Sequence, residues 1–193
     1  MTEFSEQLCK WPPASQPLWQ EARRFPAPDE AIRLYASLPR EDLVPRDRIR
    51  VGAMPAGVHS NFCLLDLSVR PDRVFVAAMG EEVVARNGYD GTGRFLDEYL
   101  DGEKLAWLME SYLRVVSTRR PVLSIVRLTT EGNATVVSWR VLLPVGPPGG
   151  DLACIASFHG YEAAEGDARA TPRFLLDEGR VDRILADAAE TAG

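Results

Sequence analysis

The chain is expected to be an α+β protein, an antiparallel sheet with helices laid on one face. Three observations lead there. Two β-rich runs, Phe62–Val69 and Val74–Met79, precede one long amphipathic helix, and three more, Val122–Thr130, Ala134–Leu143 and Leu152–Tyr161, follow it. The links Arg70-Pro71-Asp72 and Glu131-Gly132-Asn133 are short and rich in turn residues, which makes hairpins the simplest connections. Apolar residues make up 46% of 193 residues, enough for one domain with a real core plus extensions.

The elements follow in order. Residues 1–14 carry no periodic pattern. In SQPLWQEARRF, Ser15 can cap a helix and Pro17 suits its first turn. Leu18, Ala22 and Phe25 then share one face, with Trp19 beside them. Pro26-Ala27-Pro28 reads as a break. A second helix follows in DEAIRLYASL, with acids in its first turn, Ile32, Tyr35, Ala36 and Leu38 inward, and Pro39 as its stop. Residues 40–57 form a connection with a turn near Asp47–Gly52.

After the first two strands, Gly80–Arg86 suits a short helix and Asn87-Gly88 its left-handed end. Gly91-Thr92-Gly93 forces a tight turn. Asp101 is the expected N-cap of the long helix Gly102–Thr118, whose inward stripe is Leu105, Leu108, Met109, Tyr112, Leu113 and Val116. Arg119-Arg120 lies at its negative end and Pro121 stops it. Pro144–Gly150 is a longer turn. Residues 163–171 read as a linker, and Asp177–Ala189 as a closing helix with Val181, Ile184, Leu185 and Ala188 aligned. The expected division is a helical extension over 1–57, the core domain over 58–162, and a linker with a C-terminal helix over 163–193.

A net charge of −6, with no cluster of basic and aromatic residues, argues against nucleic acid. No apolar run is long enough for a membrane span and the first residues lack an export pattern, so a cytoplasmic location is expected. The three cysteines, Cys9, Cys63 and Cys154, are far apart; Cys63 and Cys154 sit in apolar runs as small buried hydrophobes.

No motif carries an obvious reaction. Gly91-Thr92-Gly93-Arg94-Phe95-Leu96 lacks the third glycine of a dinucleotide fingerprint and follows a helix, so it is a turn; Arg94 either pairs with Asp97 or Glu98 at the surface, the favoured reading, or presents its guanidinium at the pocket mouth. Glu81-Glu82 and Asp97-Glu98 are adjacent pairs that cannot face each other on a helix. There is no nucleophile elbow and no metal-ligand spacing, so catalytic residues, metal and cofactor are all expected to be none. On the penultimate strand Thr135, Val137, Trp139, Val141 and Leu143 share a face, the wall of a pocket or of the core. Trp139 either meets a ligand's polar group there or fills the space itself.

Taken together, Trp19, LPREDLVP at 38–45, the strand Leu64–Leu67, FVAAMGEEV at 75–83, NGYDGTGRFLDE at 87–98 and LLPVGPPGGDLACI at 142–155 resemble PAS domains. The likeness is nearest to small stand-alone PAS proteins of bacteria, mostly of unassigned function, and covers residues 17–162. It implies a five-stranded antiparallel sheet in order 2-1-5-4-3, with the short helices and the long helix enclosing a cavity against one face. Haem-binding members use a histidine on the helical side. This chain has two histidines, His59 and His159, and none within 80–118. Flavin-binding light sensors carry a reactive cysteine after the glycine turn, where this chain has Arg94-Phe95-Leu96, so no covalent chromophore is expected. Non-covalent flavin stays open.

The expected function is a stand-alone sensory or signalling module without catalysis, binding a small apolar ligand, an unidentified protein partner, or both. Phe75, Met79, Tyr99, Leu108 and Trp139 are the expected ligand-binding residues. Leu18, Trp19, Ala22 and Phe25 are the expected homodimer interface, the competing reading being that the leading helix covers its own sheet. The alternative is a cone-shaped α+β enzyme of the ketosteroid isomerase kind acting on a small apolar substrate. Such folds set long helices before most of the sheet and place an acid or tyrosine on an apolar wall.

Overall fold

A computed structural model describes residues 16–38, 43–70, 72–100, 102–129, 135–165 and 182–187. Helices α1 (Gln16–Ala22), α2 (Pro26–Ala36) and α3 (Ala56–His59) come first. Strands β1 (Phe62–Asp66) and β2 (Phe75–Met79) follow, then α4 (Glu81–Asn87) and the long α5 (Gly102–Thr118). The chain continues through β3 (Val122–Thr129), β4 (Thr135–Val145), β5 (Cys154–Glu165) and β6 (Asp182–Asp187). All pair antiparallel, in the order β2-β1-β5-β4-β3-β6. The first five stand in the order 2-1-5-4-3 expected from the resemblance; the sixth was not expected.

That sixth strand corrects the closing helix. Asp182–Asp187 pairs with β3 in the register Ile125↔Ile184 and Leu123↔Ala186. The apolar spacing of this segment fits a helical stripe, but β3 would otherwise be an edge with a row of unpaired backbone groups. Pairing with it outweighs a weak local periodicity. Val181 and Ala188, the outer members of the expected stripe, lie outside the described residues.

A second correction concerns Pro26-Ala27-Pro28. These residues form the first turn of α2. The missing N–H of proline is harmless in that turn, where the donor has no intrahelical partner. Among the expected turns, Gly88 ends α4 with φ 78 as its left-handed residue. Arg119 ends α5 in the same left-handed region, φ 55, without glycine's freedom, and its guanidinium donates to the Gly150 carbonyl. The capping role expected of Asp101 and the hairpin expected at Glu131-Gly132-Asn133 fall outside the described residues.

The alternation along each central strand divides the interior into two layers. Val137, Trp139, Val141 and Leu143 of β4, with Leu123 and Ile125 of β3 and Ala156 and Phe158 of β5, pack against α1 and α2. Leu142, Val122 and Ile155, one residue out of phase on the same strands, pack against Leu96, Leu100, Tyr112 and Val115. Helices therefore cover both faces: the N-terminal pair on one, α4 and α5 on the other.

The α1 side is closed tightly. Trp19 and Ala22 are fully inaccessible within the single chain, and Leu18 and Phe25 pack at the margin of the same cluster. Gly160 makes the closure possible. It is the cross-strand partner of Trp139, and a Cβ there would lie 2.7 Å from Phe25 Cδ2. The bare backbone instead lets the Phe25 ring settle beside the Trp139 ring, 6.0 Å between centroids.

Candidate functional site

The site lies on the face of the sheet turned to α5. Three residues stand in one cross-strand row, Ser124 of β3, Arg140 of β4 and His159 of β5. The adjoining row runs Leu142, Ser157, Cys63 and Met79. On the other side of the first row Ser138 faces Tyr161. Directly opposite residues sit close enough for their side chains to interact, so these rows form one polar field in the middle of the sheet. α5 roofs it and buries it: Ser111, Ser124, Ser138, Arg140 and Ser157 are all buried.

Arg140 is the centre of this field and is only 3% exposed. Its Nη2 donates to Ser124 Oγ at 2.8 Å and to Ser111 Oγ at 3.4 Å. Ser111 in turn donates to the Leu108 carbonyl at 2.8 Å. The guanidinium lies over the Trp107 ring, 4.5 Å from its centroid, a cation–π contact that covers one of its faces. Its Nε–H is buried with no acceptor. Among the described residues no carboxylate forms an ion pair with it. Burial pushes the guanidinium pKa down, but arginine stays charged in proteins. A positive charge is thus held in the interior by two hydroxyls and a ring.

Two further donors on this side lack partners, the Trp107 indole Nε1–H and the Tyr99 hydroxyl. The Tyr99 ring lies tilted against Tyr89, 4.9 Å between centroids, and its hydroxyl rests against Gly91 and close to Met79. A side chain at Gly91 would displace it, so the glycine turn serves the site by leaving room. Burial drives the Tyr89, Tyr99 and Tyr161 hydroxyls well above the usual phenol range and the Tyr112 hydroxyl to about 12. All four phenols are neutral at physiological pH.

His159 bridges two neighbours on its own strand, with Nε2 2.8 Å from Ser157 Oγ and Nδ1 3.2 Å from Tyr161 Oη. Burial, then the charge of Arg140, pushes its pKa down to about 3. The imidazole is therefore neutral and its role is to link hydroxyls. Cys63 is a free, buried thiol whose pKa burial raises to about 12. At the rim, the Arg86 guanidinium covers the Tyr161 ring at 4.7 Å while pairing with Glu82 at 2.8 Å.

The residues expected to bind a ligand do not converge as one set. Met79, Tyr99 and Leu108 gather on the α5 side. Phe75 lies on the outermost strand, edge-to-face with Phe95 at 5.4 Å. Trp139 is on the opposite face, buried among α1 and α2 beside Phe25. The physical reason is the period of two: Arg140, the neighbour of Trp139, takes the face under α5. The sequence held a signal for this, since Ser138 and Arg140, Ser124, and Ser157 and His159 alternate with apolar residues on three central strands. Alone, that pattern describes a solvated face, and only the roof of α5 turns it into an interior.

The order of the first five strands, 2-1-5-4-3, with helices over the sheet is that of the PAS fold, to which this chain adds β6 at the edge and the N-terminal helices on the second face. No family model matches this chain, and none of the curated proteins does. Among solved structures it is similar to the Rhodobacter sphaeroides LOV protein at 14% identity and a TM-score of 0.40, over 55% of this chain and 62% of that one. An RsLOV variant aligns at 13% identity and TM-score 0.39 over 57% of this chain and 63% of its own, and the d2 variant at 14% and 0.40 over 55% and 61%. The matches span less than two thirds of those proteins. The fold is PAS-like.

Proposed function

We propose that this protein is a PAS-type sensory module that holds a small molecule between its sheet and α5 and signals its occupancy to another protein, without catalysis. One observation carries the reading. Three polar donors, Arg140 Nε, Trp107 Nε1 and the Tyr99 hydroxyl, are buried without acceptors on the α5 side of the sheet, against Trp139 Nε1 on the other face. Each orphaned donor costs about 1–3 kcal/mol. A ligand offering acceptors removes the cost. Met79, Tyr99 and Leu108 supply apolar contact beside them, in keeping with a ligand that has an apolar body.

The protonation states support a non-catalytic role. With the Cys63 thiol near 12 and His159 near 3, the site offers neither a thiolate nor a base that titrates near neutral pH. The free, buried thiols of Cys63 and Cys154 fit a reducing compartment such as the cytoplasm. No described helix is long and apolar enough to cross a membrane. For Leu18, Trp19, Ala22 and Phe25 we favour the intramolecular role, covering the chain's own sheet, since Trp19 and Ala22 need no partner to be buried. A homodimer through Leu18 and Phe25 is the competing reading. Native mass spectrometry tests both points. The expected spectrum shows the chain with a small non-covalent addition that denaturation removes. A bare chain that takes up no small molecule from a metabolite extract would overturn the sensory reading.

A further inference from the structure

We infer that the ligand of the α5-side site is a small monocarboxylate with an apolar or aromatic body, its carboxylate seated on Arg140. The inference rests on the sensory reading above and adds the chemistry of the signal.

The charge comes first. A buried cation needs an anion, and Arg140 has none among the described residues. Its hydrogen bonds go only to the Ser111 and Ser124 hydroxyls, and both bonds use Nη2. Nε–H stays without an acceptor at the edge of the guanidinium, where it can donate one in-plane, charge-assisted hydrogen bond to an anion. Trp107 blocks a face of the guanidinium, not this edge. The unmet donor therefore asks for an acceptor in the plane of the guanidinium.

The count of charges then selects the class. Two further described cations lie beside the field and each has a carboxylate: Arg86, laid over Tyr161, pairs with Glu82, and Arg94, over the Tyr99 ring, pairs with Glu98 at 3.7 Å. His159 is neutral, linked to Ser157 and Tyr161. The site therefore offers one positive charge, which matches a monoanion. A phosphate, with its greater charge and three acceptor oxygens, would leave charge and acceptors unmet. Beyond the hydroxyls of the field, the α5 side is apolar and aromatic, with Met79, Leu108 and the tilted Tyr89–Tyr99 pair. Trp107, whose ring lies on the guanidinium, brings one further donor, its Nε1–H, for an acceptor on the ligand's body.

The test uses benzoate as the probe, with benzamide as its neutral isostere and inorganic phosphate as a second anion. Each is titrated into the full-length chain after unfolding and refolding to strip any resident ligand, with binding read by calorimetry and thermal shift. Benzoate is expected to bind and raise the melting temperature, with benzamide and phosphate weaker by about tenfold or more. Arg140→Met is expected to abolish the preference for benzoate over benzamide. The isostere comparison needs only the wild type, so it holds even where the variant folds poorly. Equal binding of benzoate and benzamide, or benzoate binding that survives Arg140→Met, would sink the carboxylate assignment and leave the sensory reading standing. Tighter binding of phosphate would do the same. No binding by any probe, together with a bare mass on native purification, would overturn both.

Discussion

Replacing Arg140 by methionine should make the ligand-free protein more stable, which is the reverse of what removing a buried, hydrogen-bonded residue usually does. The losses are two hydrogen bonds from Nη2 and a cation–π contact. A hydrogen bond from a charged donor contributes about 1.5–3 kcal/mol, less at the 3.4 Å separation from Ser111, and the ring contact about 1–2 kcal/mol. Against these stand the several kcal/mol that an uncompensated buried charge costs and about 1–3 kcal/mol from the apolar burial of methionine. Ser111 keeps its bond to the Leu108 carbonyl, whereas the fully buried Ser124 hydroxyl loses its partner, at a cost of about 1 kcal/mol. The balance is a gain of about 0–2 kcal/mol, or about 2–4 °C in melting temperature for each kcal/mol in a chain of this size. Urea denaturation of stripped wild type and Arg140→Met measures it. Saturating wild type with benzoate should narrow or reverse the difference, because the anion stabilises the form that binds it. A methionine variant less stable than stripped wild type by more than about 1 kcal/mol would refute the reasoning, since it would mean that the chain already neutralises Arg140.

Three further outcomes are expected. Gly160→Ala should cost about 1–3 kcal/mol by driving Phe25 off the sheet, and the cost should shrink in a Phe25→Gly background, which removes the Phe25 Cβ that the new methyl would meet at 2.6 Å as well as the ring; a double-mutant cycle would show no coupling if the approach of Phe25 were incidental. The folded pKa of His159, about 3, lies below its unfolded value of 6.5, so the unfolded chain binds the extra proton between those limits. Its contribution is complete above about pH 6.5 and is lost at roughly 1.4 kcal/mol per pH unit as pH falls toward 3; equal slopes for wild type and His159→Gln in denaturation series would contradict this. Trp19→Ala should cost about 3–5 kcal/mol at every protein concentration, because the indole is buried within one chain; a loss that shrinks as concentration rises would instead favour the homodimer.

The order of strands and helices was legible because each element announces itself locally. The long helix shows an apolar stripe, although Leu113 and Val116 of the expected set turn out exposed and Val115 buried in their place; the central strands show alternation, and the turns carry proline and glycine. Together with the resemblance, that order led to the arrangement 2-1-5-4-3, and it also exposed the site's raw material, the polar residues alternating on three central strands.

Three decisions belonged to the tertiary structure. Alternation divides a strand into two faces but carries no sign, so nothing in VSWRV says whether Trp139 or Arg140 lies under α5. That choice depends on elements far along the chain, α1 and α2 on one side and α5 on the other, and it turned an apparently solvated arginine into a buried charge. The α2 start and the conformation of Asp182–Asp187 were likewise settled outside their own sequence: the first by the unpaired donors of a helix's opening turn, the second by the open edge of β3. Periodicity reports what a segment can form alone, whereas burial, charge compensation and edge pairing depend on what the rest of the chain brings to it.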